Sequence, residues 1–278
     1  MSEGTAGAVA SKPSIFADRV VFVLGTRRSG TTWLAELLLS HPQLVGVDVI
    51  QVGAELHPRE TVIFDALEAV WNNVHNADGE GICSLFPPEE AMAAIRQFCE
   101  HMFALGRERY GPTASWFVEK TPSHIFKLPF LASTYPDAWY VHLIRDGRDA
   151  ARSLVRSPMG PDDVAGAAGE WVRGLEQIER HRWRLQRFHQ LRYEGLLADP
   201  VGETSAIMRW LGLDVDDEVR ARLEERVGRE VAKYGSTAAA GAGKWRLLSP
   251  GDQAKVLDVA GDWLAELGYL DGSASLPS

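Results

Sequence analysis

The clearest chemical signal in the sequence is a short loop rich in glycine and hydroxyl side chains. It runs from Gly25 to Thr32 as GTRRSGTT, after an apolar run and before a segment with apolar residues at helical spacing. A loop in this position can direct its backbone N–H groups, and the amino end of the helix after it, at a phosphate. The sequence therefore predicts a phosphate-binding loop here.

The position of the cation distinguishes this loop from that of a metal-dependent kinase. In the pattern GxxxxGK[ST], a lysine reaches the β- and γ-phosphates and the final hydroxyl holds magnesium. Here Thr31 stands at the lysine position, and the positive charge lies upstream at Arg27 and Arg28. A small-molecule kinase is thus the weaker interpretation, and a donor with a single 5′-phosphate fits better.

A second candidate for anion binding follows another apolar run. The run WYVHLI is followed at once by Arg145, and Ser153 comes eight positions after that arginine. Eight residues are about two helical turns, so both side chains can face one anion. A guanidinium binds phosphate through a fork of N–H groups, and a serine hydroxyl adds a donor. Alone, the segment RDGRD would be interpreted as a salt-bridged surface turn, but the preceding phosphate loop favours an anion site.

These two segments resemble those of the PAPS-dependent sulfotransferases, which move a sulfuryl group from 3′-phosphoadenosine-5′-phosphosulfate (PAPS) to a hydroxyl. The string RRSGTTWL is similar to the family's loop for the 5′-phosphosulfate group, with Arg28 at a position commonly held by lysine. The resemblance implies that Arg28 neutralises the leaving phosphate, and that Arg145 and Ser153 bind the 3′-phosphate. The residues that it assigns to the 5′-phosphate end of the donor are Arg27, Ser29, Gly30, Thr31 and Thr32.

Further similarities concern the adenine and the carboxyl-terminal part of the chain. The resemblance implies that Trp33 stacks near the adenine, with packing in the core as the alternative. Arg192-Tyr193-Glu194 resembles a segment whose tyrosine approaches the adenine, with a core role for Tyr193 almost as well supported. A Gly-rich stretch at 235–248 is similar to the family's basic loop that closes over the 3′-phosphate, with a solvated linker as the alternative. The ligands expected in that stretch are Lys244, Trp245 and Arg246.

The base that removes the acceptor proton is the least determined part of the site. The cytosolic small-molecule branch has its histidine base in a KTH segment, whereas this chain reads Lys120-Thr121-Pro122. The chain resembles branches with a KTP segment, where a carboxylate soon after the first helix is the base, and this implies Glu55. His124 is the rival, because an imidazole titrates near neutral pH, and His57 is a third candidate. Lys120 is expected to contact the sulfuryl oxygens rather than to act as base.

Alternating apolar strands and helical segments must position these residues. The strands are predicted at 20–25, 115–119, 139–144 and 189–193. The alternation predicts an α/β fold in three layers, P-loop-like, with a central parallel sheet flanked by helices. A helical insertion is expected at about 55–112, where it could cap a pocket. A final helix is expected with Ser249 as its N-cap and Gly268 just beyond its end.

Length and composition set the remaining expectations. With 278 residues and 45% hydrophobic content, the chain is expected to form a single domain, with a core at about 18–268 and a disordered tail at 271–278. A net charge of -9 argues against a nucleic-acid or membrane-surface partner. A secretory signal and long apolar stretches are both lacking, so a cytoplasmic protein is expected, with Cys83 and Cys99 reduced.

Together with these features, the resemblance implies a sulfotransferase that uses PAPS, without a metal ion, to sulfate a small hydroxylated acceptor. The aromatic residues of the insertion favour a partly hydrophobic metabolite or lipid as that acceptor. The alternatives are a P-loop small-molecule kinase and a non-catalytic nucleotide-binding module. The sequence carries no signal for an oligomeric state.

Overall fold

A computed structural model describes most of the chain. It covers residues 16, 18–46, 49–52, 55–58, 63–74, 86–158, 160–234 and 241–270, with the backbone alone at 49–52, 55–58, 71–74, 88 and 233–234. Cys83 and the tail at 271–278 lie outside these residues, and Cys99 is a free, buried thiol. Within the described residues, no helix has both the length and the apolar character that crossing a membrane requires.

A parallel sheet of five strands forms the centre of the fold. The strands in the described residues are β1 Val20–Leu24, β2 Leu44–Gly46, β3 Val49–Val52, β4 Glu55–Pro58, β5 Trp116–Glu119, β6 Trp139–Ile144 and β7 Arg187–Arg192. The sheet has the order β2-β5-β1-β6-β7, and every neighbouring pair in it is parallel. All five residues of β1 are buried, as expected for a central strand covered on both faces. The predicted parallel sheet is confirmed.

Helices cover both faces of this sheet. They are α1 Thr31–Leu38, α2 Ile63–Val74, α3 Pro88–Tyr110, α4 Leu128–Thr134, α5 Gly147–Val155, α6 Val164–His181, α7 Tyr193–Ala198, α8 Pro200–Trp210, α9 Asp217–Tyr234 and α10 Pro250–Glu266. One buried cluster joins the sheet to α1, α7, α8 and α9, and another joins it to α2, α3 and α4. The predicted three-layer α/β fold is therefore confirmed.

The segment before α2 differs from the helical pattern expected there. β3 and β4 pair in antiparallel fashion as a separate two-stranded sheet, with Val49 opposite Pro58. The β-branched residues Val49, Ile50 and Val52 favour a strand on the first side of this hairpin. The first described helix after this hairpin is α2, and Glu55 is the first residue of β4.

The last helix begins as the sequence predicts. The hydroxyl of Ser249 accepts a hydrogen bond from the Asp252 backbone N–H at 3.1 Å, and Pro250 occupies the first turn. The helix ends at Glu266, and Gly268 has a φ of 71°. This left-handed backbone is readily adopted by glycine just after a helix.

Candidate active site

The predicted site residues follow the strands of the sheet at one edge. The loop at 25–30 follows β1, Lys120 follows β5, Arg145 follows β6 and Tyr193 follows β7. Because these strands are parallel, their carboxyl ends meet at the same edge, where ligands bind in open α/β sheets. The fold thus brings together segments that lie far apart in the sequence.

The phosphate-binding loop is a tight turn with two left-handed residues. Gly30 has a φ of 95°, and Arg28, at 70°, is the single non-glycine residue with positive φ in the described part of the chain. A Cβ atom on Gly30 would lie 2.5 Å from Cε2 of Tyr193, so glycine is required by backbone and by space. The hydroxyls of Thr26 and Ser29 lie 2.8 Å apart and close the turn. Such backbone conformations are costly, and they concentrate at functional sites.

The amino end of α1 has the properties of an anion site. Its N-cap is Gly30, and no side chain of the described residues caps the first turn. The first N–H groups of a helix have no partner within the helix, and the helix dipole favours negative charge there. A phosphate seated in the loop would satisfy these donors, so the loop fits the 5′-phosphate end of the donor.

The second segment joins the first through two hydrogen bonds. Arg28 Nε donates to Ser153 Oγ at 3.0 Å, and Arg145 Nη1 donates to the Arg28 carbonyl at 2.7 Å. The Arg28 side chain is exposed, whereas Arg145 is 7% exposed. The three residues that the sequence assigns to the two phosphate groups therefore form one connected cluster.

One N–H group of the Arg145 guanidinium has no hydrogen-bond partner among the described residues. Its guanidinium lies 4.6 Å from the ring centroid of Tyr193, and Nη2 donates to the Gly241 carbonyl at 2.7 Å. Its Nε is buried and has no hydrogen-bond partner among the described residues. A buried, charged N–H without a partner costs free energy, and an anionic ligand beside Arg145 would supply the acceptor.

Helix α6 packs against both loops. Arg27 donates through Nε and Nη2 to the two carboxylate oxygens of Glu170, at 2.6 and 2.5 Å. Trp171 Nε1 donates to the Arg145 carbonyl at 3.1 Å. A Cβ atom on Gly174 would lie 2.3 Å from Cγ2 of Thr26, so the helix and the loop approach closely.

The guanidinium of Arg27 is engaged by the carboxylate of Glu170. The hydrogen bond to Glu170, and then its charge, raise the pKa of Arg27, while partial burial lowers it. The guanidinium already binds a carboxylate, so its predicted contact with the donor stays a prediction without support from this geometry. Glu170 could not be identified from the sequence, because it lies 143 positions from Arg27 and belongs to no recognised motif.

The segment after β5 is buried. Lys120 is 3% exposed, and the Thr121 hydroxyl donates to Glu119 Oε1 at 3.1 Å. His124 Nε2 lies 3.8 Å from the same carboxylate oxygen. The sequence prediction that Lys120 contacts the sulfuryl oxygens is compatible with its place at the end of the strand.

His124 itself lies in the core rather than at an open surface. It is 0% exposed, and its ring makes edge contacts with Phe22 and Phe64 at centroid distances of 5.7 and 5.4 Å. Burial, and then the charges of Lys127 and Lys120, lower the pKa of His124 to about 3. Neither ring nitrogen has a hydrogen-bond partner among the described residues. A group with so low a pKa is a weak base at neutral pH.

Three other predicted site residues are placed as follows. Glu55 and His57 lie on β4, and their side chains are outside the described part of the structure. The Trp33 ring is 8% exposed and packs in the core, with the ring of Tyr193 at 6.3 Å in an edge arrangement. For Trp33 this geometry corresponds to the core-packing alternative.

The basic stretch near the carboxyl terminus lies against α5. Lys244–Leu247 form a short 3-10 turn, preceded by Gly243 with a φ of 72°. The guanidinium of Arg148 lies 4.0 Å from the ring centroid of Trp245, and that of Arg246 lies 4.7 Å from it. The predicted ligands Lys244, Trp245 and Arg246 are thus held near the strand end that carries Arg145.

The sequence is similar to a described protein family and to curated related proteins. Residues 20–217 match the model of a family described as the sulfotransferase family. The nodulation protein NoeE of Sinorhizobium fredii is 27% identical over 289 aligned positions, which cover 90% of this chain and 66% of NoeE. The chain therefore spans just under two thirds of the length of that relative.

Solved structures show the same fold. The sulfotransferase domain of the Synechococcus PCC 7002 olefin synthase superposes with a TM-score of 0.55 at 22% identity, covering 93% of this chain and 95% of that domain. Mouse sulfotransferase SULT7A1, solved in complex with PAP, superposes with a TM-score of 0.51 at 14% identity, covering 89% of this chain and 85% of the mouse chain.

Proposed function

This chain belongs to the sulfotransferase family, and we propose that it transfers the sulfuryl group of PAPS to a hydroxyl of a small or lipid-like acceptor, releasing adenosine 3′,5′-bisphosphate (PAP). The observation that carries the proposal is the cluster of Arg28, Arg145 and Ser153 beside the uncapped amino end of α1. From this arrangement we infer two neighbouring anion sites. A donor with phosphates at both its 5′ and 3′ positions needs two such sites.

The assignment of the two phosphates follows from the residues around each site. The loop at 29–32 would bind the 5′-phosphate through backbone N–H groups and hydroxyls. Arg145 and Ser153 would bind the 3′-phosphate, where the buried Nε of Arg145 lacks a described partner. The PAP complex of the mouse sulfotransferase, which shares this fold, supports PAPS as the donor.

The reaction requires the protein to stabilise the leaving phosphate, to contact the sulfuryl group and to remove the acceptor proton. The acceptor oxygen forms a bond to sulfur, the bond from sulfur to the 5′-phosphate oxygen breaks, and its electron pair stays on the phosphate. Arg28 would stabilise the negative charge that develops on this oxygen, which is the step where a fixed cation is most effective. Lys120 would contact the sulfuryl oxygens. The scheme uses cations of the chain itself and needs no metal ion.

We propose Glu55 as the base that takes the acceptor proton. The rival His124 is enclosed by aromatic rings, and its lowered pKa of about 3 makes it a poor proton acceptor at neutral pH. Glu55 follows from the family resemblance, which implies a carboxylate soon after the first helix, and it lies on β4, the second strand of the hairpin after α1. A cytoplasmic location remains a prediction from the sequence.

A transfer assay tests the proposal. Purified protein is incubated with PAPS labelled in the sulfate and a panel of phenols, aliphatic alcohols and lipid alcohols, with Arg28→Ala as the control. The proposal expects labelled product and an equal amount of PAP with at least one class of acceptor. Phosphate transfer from ATP with magnesium would establish the kinase alternative. Tight PAP binding without transfer to any acceptor would establish the non-catalytic module.

A further inference from the structure

One carboxylate of the second segment has no task in the reaction described above. Asp149 lies on α5 between Arg145 and Ser153, and it is 2% exposed. The proposed function places the 3′-phosphate beside those two neighbours. A negative charge there would repel the phosphate, since charges a few ångströms apart interact strongly in a partly buried site. A carboxylate kept at this position needs a compensating role.

The structure shows what Asp149 binds. Its Oδ2 accepts a hydrogen bond from the Gly243 N–H, and its Oδ1 accepts one from the Trp245 N–H, both at 2.6 Å. These two N–H groups belong to residues 241–247, which we call the C-terminal loop. Gly243, with a φ of 72°, forms the turn that directs both N–H groups at one carboxylate. Charge-assisted hydrogen bonds of this kind are among the strong ones.

Two neighbours of Asp149 hold the same loop. Arg145 Nη2 donates to the Gly241 carbonyl at 2.7 Å, and the Arg148 guanidinium covers the Trp245 ring at 4.0 Å. The regular structure in the loop is a single 3-10 turn of four residues. A turn that short has little stability of its own, so its position depends on these contacts with the start of α5.

We propose that Asp149 is a positioning residue for donor binding, whose carboxylate anchors the C-terminal loop so that Lys244 and Arg246 are held at the proposed 3′-phosphate site. The inference rests on the proposed function. The anchor would hold the two cations of the loop near Arg145 in exchange for one negative charge. The loop also reaches Arg145 directly, so anchoring of the loop and binding of the donor share one guanidinium.

Substitution of Asp149 tests this role, because loss of the anchor and simple loss of a negative charge should change the Kd for PAP in opposite directions. Asp149→Asn keeps the size of the side chain but has one acceptor oxygen, and its NH2 group would face the other loop N–H. If the carboxylate anchors the loop, the Kd for PAP rises about tenfold or more, the range expected from losing a charge-assisted hydrogen bond. Hydrogen exchange at residues 243–247 becomes faster, and kcat at saturating PAPS changes less than the KM for PAPS. Simple loss of a negative charge beside an anion site would instead lower the Kd.

Asp252→Asn is the matched control. This substitution changes the net charge by the same amount at the exposed start of α10, where Asp252 contacts Ser249 and Lys255. The Asp252→Asn variant should bind PAP like the wild type. An equal or lower Kd for Asp149→Asn, with unchanged exchange in the loop, overturns the inference. If Asp149→Asn does not fold, Gly243→Ala strains the turn at φ 72° while the carboxylate keeps its charge. A raised Kd for PAP with faster exchange in the loop then supports the inference, and an unchanged Kd overturns it. Failure of the wild type to bind PAP would instead overturn the proposed function.

Discussion

Arg28 Nε donates to Ser153 Oγ across 125 positions of sequence, at a distance of 3.0 Å. The bond connects the loop after β1 to the helix after β6, and these are the two segments to which we assign the 5′- and 3′-phosphates. The Arg28 carbonyl also accepts from Arg145 Nη1 at 2.7 Å. The left-handed backbone of Arg28 therefore directs its carbonyl and its side chain to the same partner segment. We infer that these two contacts help to set the separation of the two proposed anion sites.

Arg28→Ala should lower kcat about 100-fold, with a smaller change in the KM for PAPS. A cation that acts on the leaving oxygen stabilises the transition state more than the bound donor, and loss of such a group typically costs about 3 kcal/mol. Steady-state kinetics with an acceptor from the transfer screen measure both constants.

Arg28→Lys is the matched variant for this position. It keeps a positive charge and should recover part of the lost kcat. If Arg28→Ala has near-normal kcat and a raised KM, Arg28 contributes uniform binding instead, and its assigned role is wrong.

Glu170→Gln should weaken PAP binding by roughly fivefold, although Glu170 has no predicted contact with the donor. The substitution removes the charge that holds Arg27, and a partly exposed pair of this kind contributes about 1 kcal/mol. Calorimetric titration with PAP measures the effect.

Glu176→Gln provides the comparison for the α6 contact. Glu176 is exposed on the same helix, and its substitution changes the net charge equally without touching the phosphate-binding loop. Equal effects of the two substitutions would show that charge alone matters and that α6 does not position the loop.

The choice of base is tested by single-turnover rates at saturating PAPS. Glu55→Gln should slow the transfer about 100-fold or more, the usual range for loss of a general base. His124→Leu should leave the rate of the folded protein within a few-fold, since His124 is buried among aromatic rings. A fully active Glu55→Gln protein beside an inactive but folded His124→Leu protein would transfer the role to the histidine.

His124 should make the stability of the protein depend on pH. Its pKa is lowered from 6.5 to about 3 in the folded state. Below pH 6.5 His124 is therefore protonated in the unfolded chain but stays neutral in the folded chain. The stabilisation is complete above that pH and is lost as the pH falls towards 3. The pKa of His142 is lowered to about 4, which adds an effect of the same sign.

Urea unfolding at about pH 7.5 and about pH 5 measures this dependence. The loss of unfolding free energy between the two should be about 2 kcal/mol smaller in His124→Leu than in the wild type. An identical loss in both proteins would show that His124 protonates freely in the folded state.

The regular elements could be predicted from local sequence where apolar runs are long. The predicted strand at 139–144 matches β6, and the run at 20–25 exceeds β1 by one residue. The charged helical pattern that begins at Val164 continues to Phe188 in the sequence, yet α6 ends at His181 and β7 begins at Arg187. Arg187 pairs with Trp139 on β6, and its guanidinium lies 4.8 Å from the centroid of the Trp139 ring. Contacts with a residue so far away in the sequence cannot be read from local periodicity.

The site shows the same division between motifs and tertiary contacts. Arg28, Arg145 and Ser153 could be predicted because each lies in a motif that follows a strand. Glu170 and Asp149 could not be assigned their partners, because Arg27 lies 143 positions from Glu170 and the loop amides lie more than 90 from Asp149. Trp33 illustrates a further limit, since an aromatic residue after a phosphate loop suits a core position and a nucleotide contact equally.

The proposed donor site is tested most directly by calorimetric titration of PAP, 5′-AMP and ATP with magnesium into the wild type, Ser153→Ala and Arg145→Ala. PAP differs from 5′-AMP by the 3′-phosphate alone. We expect the wild type to bind PAP at least tenfold more tightly than the other two ligands, from charged hydrogen bonds of roughly 1.5–3 kcal/mol. The advantage over 5′-AMP should shrink in Ser153→Ala and nearly vanish in Arg145→Ala. Equal affinity of the wild type for PAP and 5′-AMP, or a preference for ATP with magnesium, would contradict the proposed donor site.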